Sequence, residues 1–62
     1  MFTSTVIRWG EDRAWVRHPA VGDILFWKKD TAPSVQARWA SLRGMSLAFD
    51  LSSGRAVNVR FP

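Results

Sequence analysis

Each of the four tryptophans in this chain lies within two positions of an arginine or a lysine. The neighbours are Arg8 with Trp9, Arg13 and Arg17 with Trp15, Lys28 and Lys29 with Trp27, and Arg38 with Trp39. Such a pairing sets a large aromatic surface beside a positive charge, which suits stacking on nucleic-acid bases and contact with phosphates. Tryptophan and arginine are also the residue types that anchor protein interfaces. The pattern therefore predicts a binding surface, either for nucleic acid or for another protein.

The N-terminal part of the chain holds the densest group of these residues. The candidate nucleic-acid-binding residues there are Trp9, Arg13, Trp15 and Arg17. Further basic side chains would extend the positive surface along a phosphate backbone, and these are Lys28, Lys29, Arg38, Arg43 and Arg60. The other two tryptophans are predicted to lie in the core, because Trp27 ends an apolar run and Trp39 follows Val35 at helical spacing.

Residue types that support catalysis are scarce. His18 is the only histidine, and neither it nor any serine lies in a nucleophile motif. The chain has no cysteine and no glycine-rich phosphate loop, and its carboxylates are not spaced as a metal site. We therefore expect a protein that is not an enzyme and that uses neither a cofactor nor a metal.

The balance of charge favours an anionic partner. The chain of 62 residues has nine bases and five acids, a formal charge of +4, and only Asp50 is acidic after Asp30. The isoelectric point of about 11.3 exceeds the value near 9 that is typical of nucleic-acid-binding domains. A few solvated arginines on a small domain would give the same value, so charge alone does not decide the function.

Length and the absence of cysteine limit how the chain can be stabilised. Sixty-two residues form at most one domain, spanning 1–62, and no disulfide can reinforce its small core. A homodimer is therefore expected, with an uncovered edge of the last strand as one means of pairing. The N-terminus does not resemble a signal peptide, and no apolar run is long enough to span a membrane. These features predict a cytoplasmic protein without a membrane partner.

Residue types, apolar spacing and turn residues predict about five strands and one helix. Strands are expected over 2–9, 13–18 and 24–27, followed by a helix from the region of Pro33 to Gly44 and strands over 45–51 and 55–61. The order β-β-β-α-β-β predicts an α+β fold, in which one helix packs on a small, mostly antiparallel sheet. A partly closed SH3-like barrel is the alternative arrangement.

The position of the turns predicts the register of both hairpins. A three-residue loop over 10–12 pairs Trp9 with Arg13 and Val6 with Val16, and it places Trp9 and Trp15 together on an exposed face. In this register His18 lies opposite Ser4, within reach of a hydrogen bond. A loop over 52–54 likewise makes Phe49 face Val57 and Leu47 face Val59, with all four residues in the core.

Two stretches resemble known families of DNA-binding domains. Val21-Gly22-Asp23-Ile24-Leu25, Arg38-Trp39 and Asp50-Leu51-Ser52-Ser53-Gly54-Arg55 resemble the pattern of the SH3-like C-terminal domains of retroelement integrases. Asp30-Thr31-Ala32 and the segment from Gly54 to Pro62 resemble parts of AP2-type domains. The predicted helix departs from the first pattern and the predicted hairpin over 45–61 departs from the second, so we assign the chain to neither family. Both resemblances imply DNA binding through an aromatic and basic sheet.

These observations lead to one functional hypothesis and one alternative. The hypothesis is a small basic module that binds nucleic acid, DNA rather than RNA, through a strand face with tryptophan and arginine. The alternative is a small inhibitor or adaptor of phage or plasmid type, which would use the same tryptophans as anchors in a protein interface.

Overall fold

A single five-stranded antiparallel sheet dominates the computed structural model, which describes residues 1–62. Its strands are β1 (Phe2–Trp9), β2 (Arg13–His18), β3 (Gly22–Trp27), β4 (Ser46–Ser52) and β5 (Arg55–Arg60). Their spatial order is β3-β2-β1-β4-β5, so that the first strand of the chain is the central strand of the sheet. None of the helical segments has the length and apolar character needed to cross a membrane.

The sheet curls until its two edge strands face each other. Because every pairing within the sheet is antiparallel, β3 and β5 run in the same direction across the opening. The opening is bridged at one end, where Thr31 lies parallel to Val59 and the Ala32 N–H donates to the Val59 carbonyl at 2.9 Å. The molecule is therefore a curled half-barrel, with its apolar side chains on the inside.

The predicted helix on the sheet is wrong. Residues between β3 and β4 form only short helical turns, namely 3₁₀ turns at Lys28–Asp30 and Trp39–Ser41 and one α-helical turn, α1, at Pro33–Ala37. α1 starts after Ala32 without a side-chain cap, and the nearby Thr31 hydroxyl donates instead to the Lys28 carbonyl at 2.7 Å. The expected α+β class, with a packed helix or an SH3-like barrel, is replaced by a mostly antiparallel half-barrel.

The core fills the inside of the curled sheet. Its buried residues are Val6, Ala14, Val16, Ile24, Phe26, Val35, Trp39, Leu42, Leu47, Phe49, Ala56 and Val59. The apolar stripe predicted for the helix, formed by Val35, Trp39 and Leu42, does reach the core, although its residues come from separate turns. The prediction that Trp39 is buried is confirmed, whereas Trp27 lies on the outside of the sheet and is only half-buried.

A bulge changes the predicted register of the first hairpin. Val6 pairs with Val16 as expected, but the register then shifts, so that Arg8 pairs with Trp15 and Trp9 with Ala14. The extra residue on β1 reverses the side of the sheet to which the following side chains point. Trp9 is therefore on the core side with Ala14, and the predicted pair of Trp9 and Arg13 is wrong.

The second hairpin has a tighter turn than predicted. Ser53 and Gly54 form a two-residue turn with φ values of 52° and 78°, the backbone of a type I′ turn. Asp50 consequently pairs with Val57, so the predicted pair of Phe49 and Val57 is wrong, and Val57 is 37% exposed instead of lying in the core. A further shift in register beside Asn58, whose φ is 51°, returns Val59 to the inside. Leu47, Phe49 and Val59 are buried as predicted.

The edge of β5 is partly covered. It faces β3 across the opening of the barrel, and the bridge between Thr31 and Val59 occupies one end of it. The uncovered edge that we expected to support pairing between two copies is therefore absent over that part of the strand. The homodimer stays a prediction that rests on the small size of the core.

Candidate nucleic-acid interface

The outer face of β2 and β3 presents large aromatic and basic side chains to solvent. Ala14 and Val16 of β2 and Ile24 and Phe26 of β3 are buried, so the residues between them point outward. Together with Arg8 from β1, these outward residues form a surface that we call the tryptophan–arginine face. It consists of Arg8, Arg13, Trp15, Arg17, Leu25 and Trp27.

Two guanidinium groups cover the two indole rings of this face. The Cζ atom of Arg8 lies 4.6 Å from the ring centroid of Trp15, and that of Arg13 lies 4.5 Å from the ring centroid of Trp27. Both contacts follow from the strand register, since Arg8 is the direct partner of Trp15 and Arg13 is the direct partner of Trp27. The face therefore holds two cation–π pairs, each joining neighbouring strands.

The two tryptophans are diagonal neighbours on adjacent strands. Trp15 pairs with Leu25, which is two positions before Trp27 on β3. Diagonal neighbours across antiparallel strands lie about 7 to 8 Å apart. This spacing lets two successive bases of an unstacked single strand each reach one indole ring, with Leu25 as an apolar contact beside them.

Two carboxylates bind arginines of the same face. Asp12 Oδ1 lies 3.1 Å from Arg13 Nε, and Asp23 Oδ1 lies 3.2 Å from Arg17 Nε. The hydrogen bond from Arg13 holds the pKa of Asp12 below its ordinary value of 3.8. Arg8 has no carboxylate partner. Of the three arginines on the face, two are thus already paired with an anionic group.

Trp9 does not belong to this face. Its Nε1–H donates to the Trp39 carbonyl at 2.7 Å, and the Trp39 Nε1–H donates to the Gly10 carbonyl at 2.8 Å. These two bonds fix the β1–β2 hairpin to the turns between β3 and β4. Trp9 is still 39% exposed, but it lies at the end of the barrel, with Lys28 Nζ 6.0 Å from the neighbouring Trp39 ring.

The remaining predicted basic residues do not form one surface. Lys28 and Lys29 directly follow Trp27 in a 3₁₀ turn and so adjoin the tryptophan–arginine face. Arg38 and Arg43 are exposed residues of the connection between β3 and β4. Arg60 of β5 is held by its own neighbours. Its Nη1 lies 2.6 Å from the Asn58 carbonyl and 3.4 Å from Asp50 Oδ2.

Two members of the face differ from the expectation from the sequence. The predicted register puts Trp9 on the exposed face and so leaves its neighbour Arg8 on the opposite side of β1, and Trp27 was expected in the core. The bulge after Val6 moves Arg8 outward, and no residue type in that stretch marks it. For Trp27 a signal does exist, because a lysine pair follows it directly and shows that the strand end is near solvent.

His18 is bound by backbone groups of the following turn. Its Nδ1 accepts hydrogen bonds from the N–H groups of Ala20 and Val21, at 3.1 and 3.3 Å. Its ring meets the ring of Phe2 edge-on, with 4.5 Å between centroids. The hydrogen bond to Ser4 that the predicted register allowed is not formed. His18 therefore stabilises the β2–β3 turn.

Asp50 is expected to make stability depend on pH in the acid range. The hydrogen bond from Asn58 Nδ2 at 3.3 Å, followed by the charge of Arg60, lowers the pKa of Asp50 below its ordinary value of 3.8. A carboxyl with a lowered pKa contributes stability above its unfolded pKa and loses it as pH falls through the folded pKa. The melting temperature should therefore decrease once the pH is lowered below about 4.

Circular dichroism melts between pH 7 and pH 2 test this dependence on Asp50. We expect Asp50→Asn to have a lower melting temperature than the parent at pH 7. Its melting temperature should decrease less than that of the parent when the pH is lowered. Glu11→Gln is the control, since Glu11 makes no ion pair. If the melting temperatures of the parent and of Asp50→Asn decreased equally with pH, groups other than Asp50 would be responsible for the dependence.

No protein-family model matches this chain, and neither a curated protein nor a solved structure matches it.

Proposed function

We propose that this chain is a non-enzymatic module that binds single-stranded nucleic acid, DNA rather than RNA, through the tryptophan–arginine face. One observation carries the proposal. Two tryptophans on neighbouring strands each have a guanidinium within 4.6 Å, on the solvent side of the sheet. This arrangement offers stacking surface and positive charge at the same place, and those are the two requirements of single-strand binding.

The shape of the face favours unpaired bases. The grooves of duplex DNA admit a helix or a two-stranded ribbon, whereas this face extends over three strands and carries its indole rings at its centre. Bases reach those rings only when they are not stacked and paired within a duplex. Stacking on an aromatic side chain contributes about 1 to 3 kcal/mol for each base and depends little on its identity.

The architecture gives a second line of support. A five-stranded sheet that curls into a half-barrel with one open seam is similar to the partly open five-stranded barrel of OB-folds. In OB-folds the face of strands 2 and 3 binds oligonucleotides or oligosaccharides. All residues of the tryptophan–arginine face except Arg8 lie on β2 and β3. This support is an analogy of fold, since fold does not determine function.

Removing Arg8 and Arg13 should weaken binding and reduce its dependence on salt. Arg8, which has no carboxylate partner, would contact a phosphate, whereas Arg13 is paired with Asp12 and would lie between the Trp27 ring and a base. One phosphate contact contributes about 0.7 to the slope of log affinity against log salt for single strands, so we expect Arg8→Ala with Arg13→Ala to flatten this slope by about 0.7. Fluorescence anisotropy of a labelled oligothymidylate, titrated between about 50 and 200 mM salt, measures it.

The matched control for this double variant is Arg38→Ala with Arg43→Ala. It removes the same charge from exposed positions outside the tryptophan–arginine face. The control should keep a slope close to that of the parent. Equal slopes in the two double variants would show that charge alone, and not this face, governs binding. Repeating the titration with RNA and with duplex DNA tests the preference for single-stranded DNA.

A protein partner is the second candidate function. The half-buried Leu25 between Trp15 and Trp27 favours it, because an apolar centre with tryptophan and arginine is also typical of protein interfaces. Salt separates the two candidates. Affinity for nucleic acid falls by orders of magnitude between about 50 and 200 mM salt when several phosphates are bound, whereas binding centred on aromatic residues changes far less.

A further inference from the structure

We propose that Asp12 and Asp23 determine the specificity of the tryptophan–arginine face, so that it selects ligands that stack over ligands that offer anionic charge alone. The inference rests on the proposed function and names the class of ligand that the same site prefers. Its basis is the placement of both carboxylates, each of which binds an arginine of the face at 3.1 to 3.2 Å.

Asp12 and Asp23 reduce what a phosphate gains at Arg13 and Arg17. Arg17 donates only its Nε–H to Asp23, so a phosphate oxygen either takes that N–H from the carboxylate or binds the remaining N–H groups beside it. The same holds for Arg13 and Asp12. Because the carboxylate then competes with the phosphate or repels it, a ligand that brings only charge gains little at these two positions.

Stacking over the indole rings involves no such competition. Trp15 and Trp27 make no hydrogen bond through their ring nitrogens, and the guanidinium groups of Arg8 and Arg13 lie over their rings. Arginine stacks on planar groups on both of its sides, so Arg13 can stay between the Trp27 ring and a base while keeping its bond to Asp12. A single strand with bases therefore binds without opening either ion pair.

The position of Arg8, the arginine without a carboxylate partner, agrees with a preference for ligands that stack. Arg8 is the one arginine of the face without a carboxylate, and it lies over Trp15. A phosphate of a strand that stacks on Trp15 reaches Arg8 without competition. Charge is thus freely available next to a stacking surface, whereas Arg17, which covers no ring, is held by Asp23.

Competition between two ligands of similar charge tests the inference. A labelled oligothymidylate of about 12 nucleotides is bound to the protein and displaced either by the same unlabelled oligomer or by inorganic polyphosphate of equal length. The measured quantity is the ratio of the two dissociation constants. We expect the parent to favour the oligomer, and Asp12→Asn with Asp23→Asn to reduce that preference by about three- to tenfold, mainly through tighter binding of polyphosphate.

Glu11→Gln is the matched control, because it removes an exposed acid from the same loop as Asp12 but breaks no bond to an arginine. Its ratio should equal that of the parent. The inference is overturned if the double variant keeps the parental ratio, or if Glu11→Gln changes the ratio as much. A parent that binds both ligands equally overturns it too, while leaving the proposed function intact. A parent that does not bind the oligomer contradicts the proposed function itself.

Discussion

Replacing Phe49 with alanine is expected to leave most of the protein unfolded at room temperature. Phe49 is fully buried in β4, and its ring packs 6.0 Å from that of Phe2 on the neighbouring central strand. Removing a buried phenylalanine ring costs about 3 to 5 kcal/mol. Stabilities of about 0.05 to 0.15 kcal/mol per residue give a chain of this length a total of only a few kcal/mol, so one substitution is enough.

Denaturant titration followed by circular dichroism measures this loss of stability. Val57→Ala is the control, because Val57 lies on the adjacent strand, was predicted from the sequence to face Phe49, and is 37% exposed in the structure. We expect its unfolding midpoint to stay close to that of the parent. If Phe49→Ala unfolds at the parental midpoint, or if Val57→Ala loses as much, the inside of the half-barrel is not the core described here.

Replacing both tryptophans of the outer face with leucine should abolish most of the affinity for single strands. Leucine keeps an apolar side chain on the sheet but removes the aromatic ring on which a base stacks. The expected loss is about 1 to 3 kcal/mol for each base, which is additive when Trp15 and Trp27 bind separate bases. Anisotropy titration of Trp15→Leu with Trp27→Leu against a labelled oligothymidylate measures it.

Leu25→Ala is the control for the tryptophan pair. It removes apolar contact between the two rings without removing a ring, so it should cost far less affinity. Circular dichroism of each variant shows whether the sheet is kept. A folded double variant that binds as tightly as the parent would mean that bases do not stack on this face. A large loss in Leu25→Ala alone would indicate an apolar interface with a protein instead.

Strand-favouring residue types, apolar spacing and turn residues were sufficient to predict the five strands. They were also sufficient for most of the core, because Val6, Val16, Leu47 and Phe49 repeat with the period of a strand. The connection after β3 was predicted less well. Val35 and Trp39 have the spacing of residues on one helix face. Two buried residues on separate turns have the same spacing, so periodicity could not distinguish one long helix from two short turns.

The sequence was sufficient to predict an outward face with tryptophan and arginine, but not to predict all of its residues. Arg13, Trp15 and Arg17 alternate with buried residues, and this placed them correctly on one outward face. Arg8 and Trp9 exchanged sides because a bulge adds one residue, which reverses every side chain beyond it. The bulge is stabilised by the bond from Trp9 to the Trp39 carbonyl, a contact between distant residues that no local pattern contains.

The central position of β1 sets the order in which the sheet can be assembled during synthesis. β1 pairs with β2 soon after it is made, but its other neighbour is β4, whose Phe49 is the partner of Phe2. At about 5 to 20 residues per second, the ribosome needs on the order of seconds to reach that strand. Until β4 has been made and released from the ribosome, that edge of β1 has no partner within its own chain. Thr3, Ser4 and Thr5 make this unpaired strand polar, which reduces its tendency to aggregate before β4 is available for pairing.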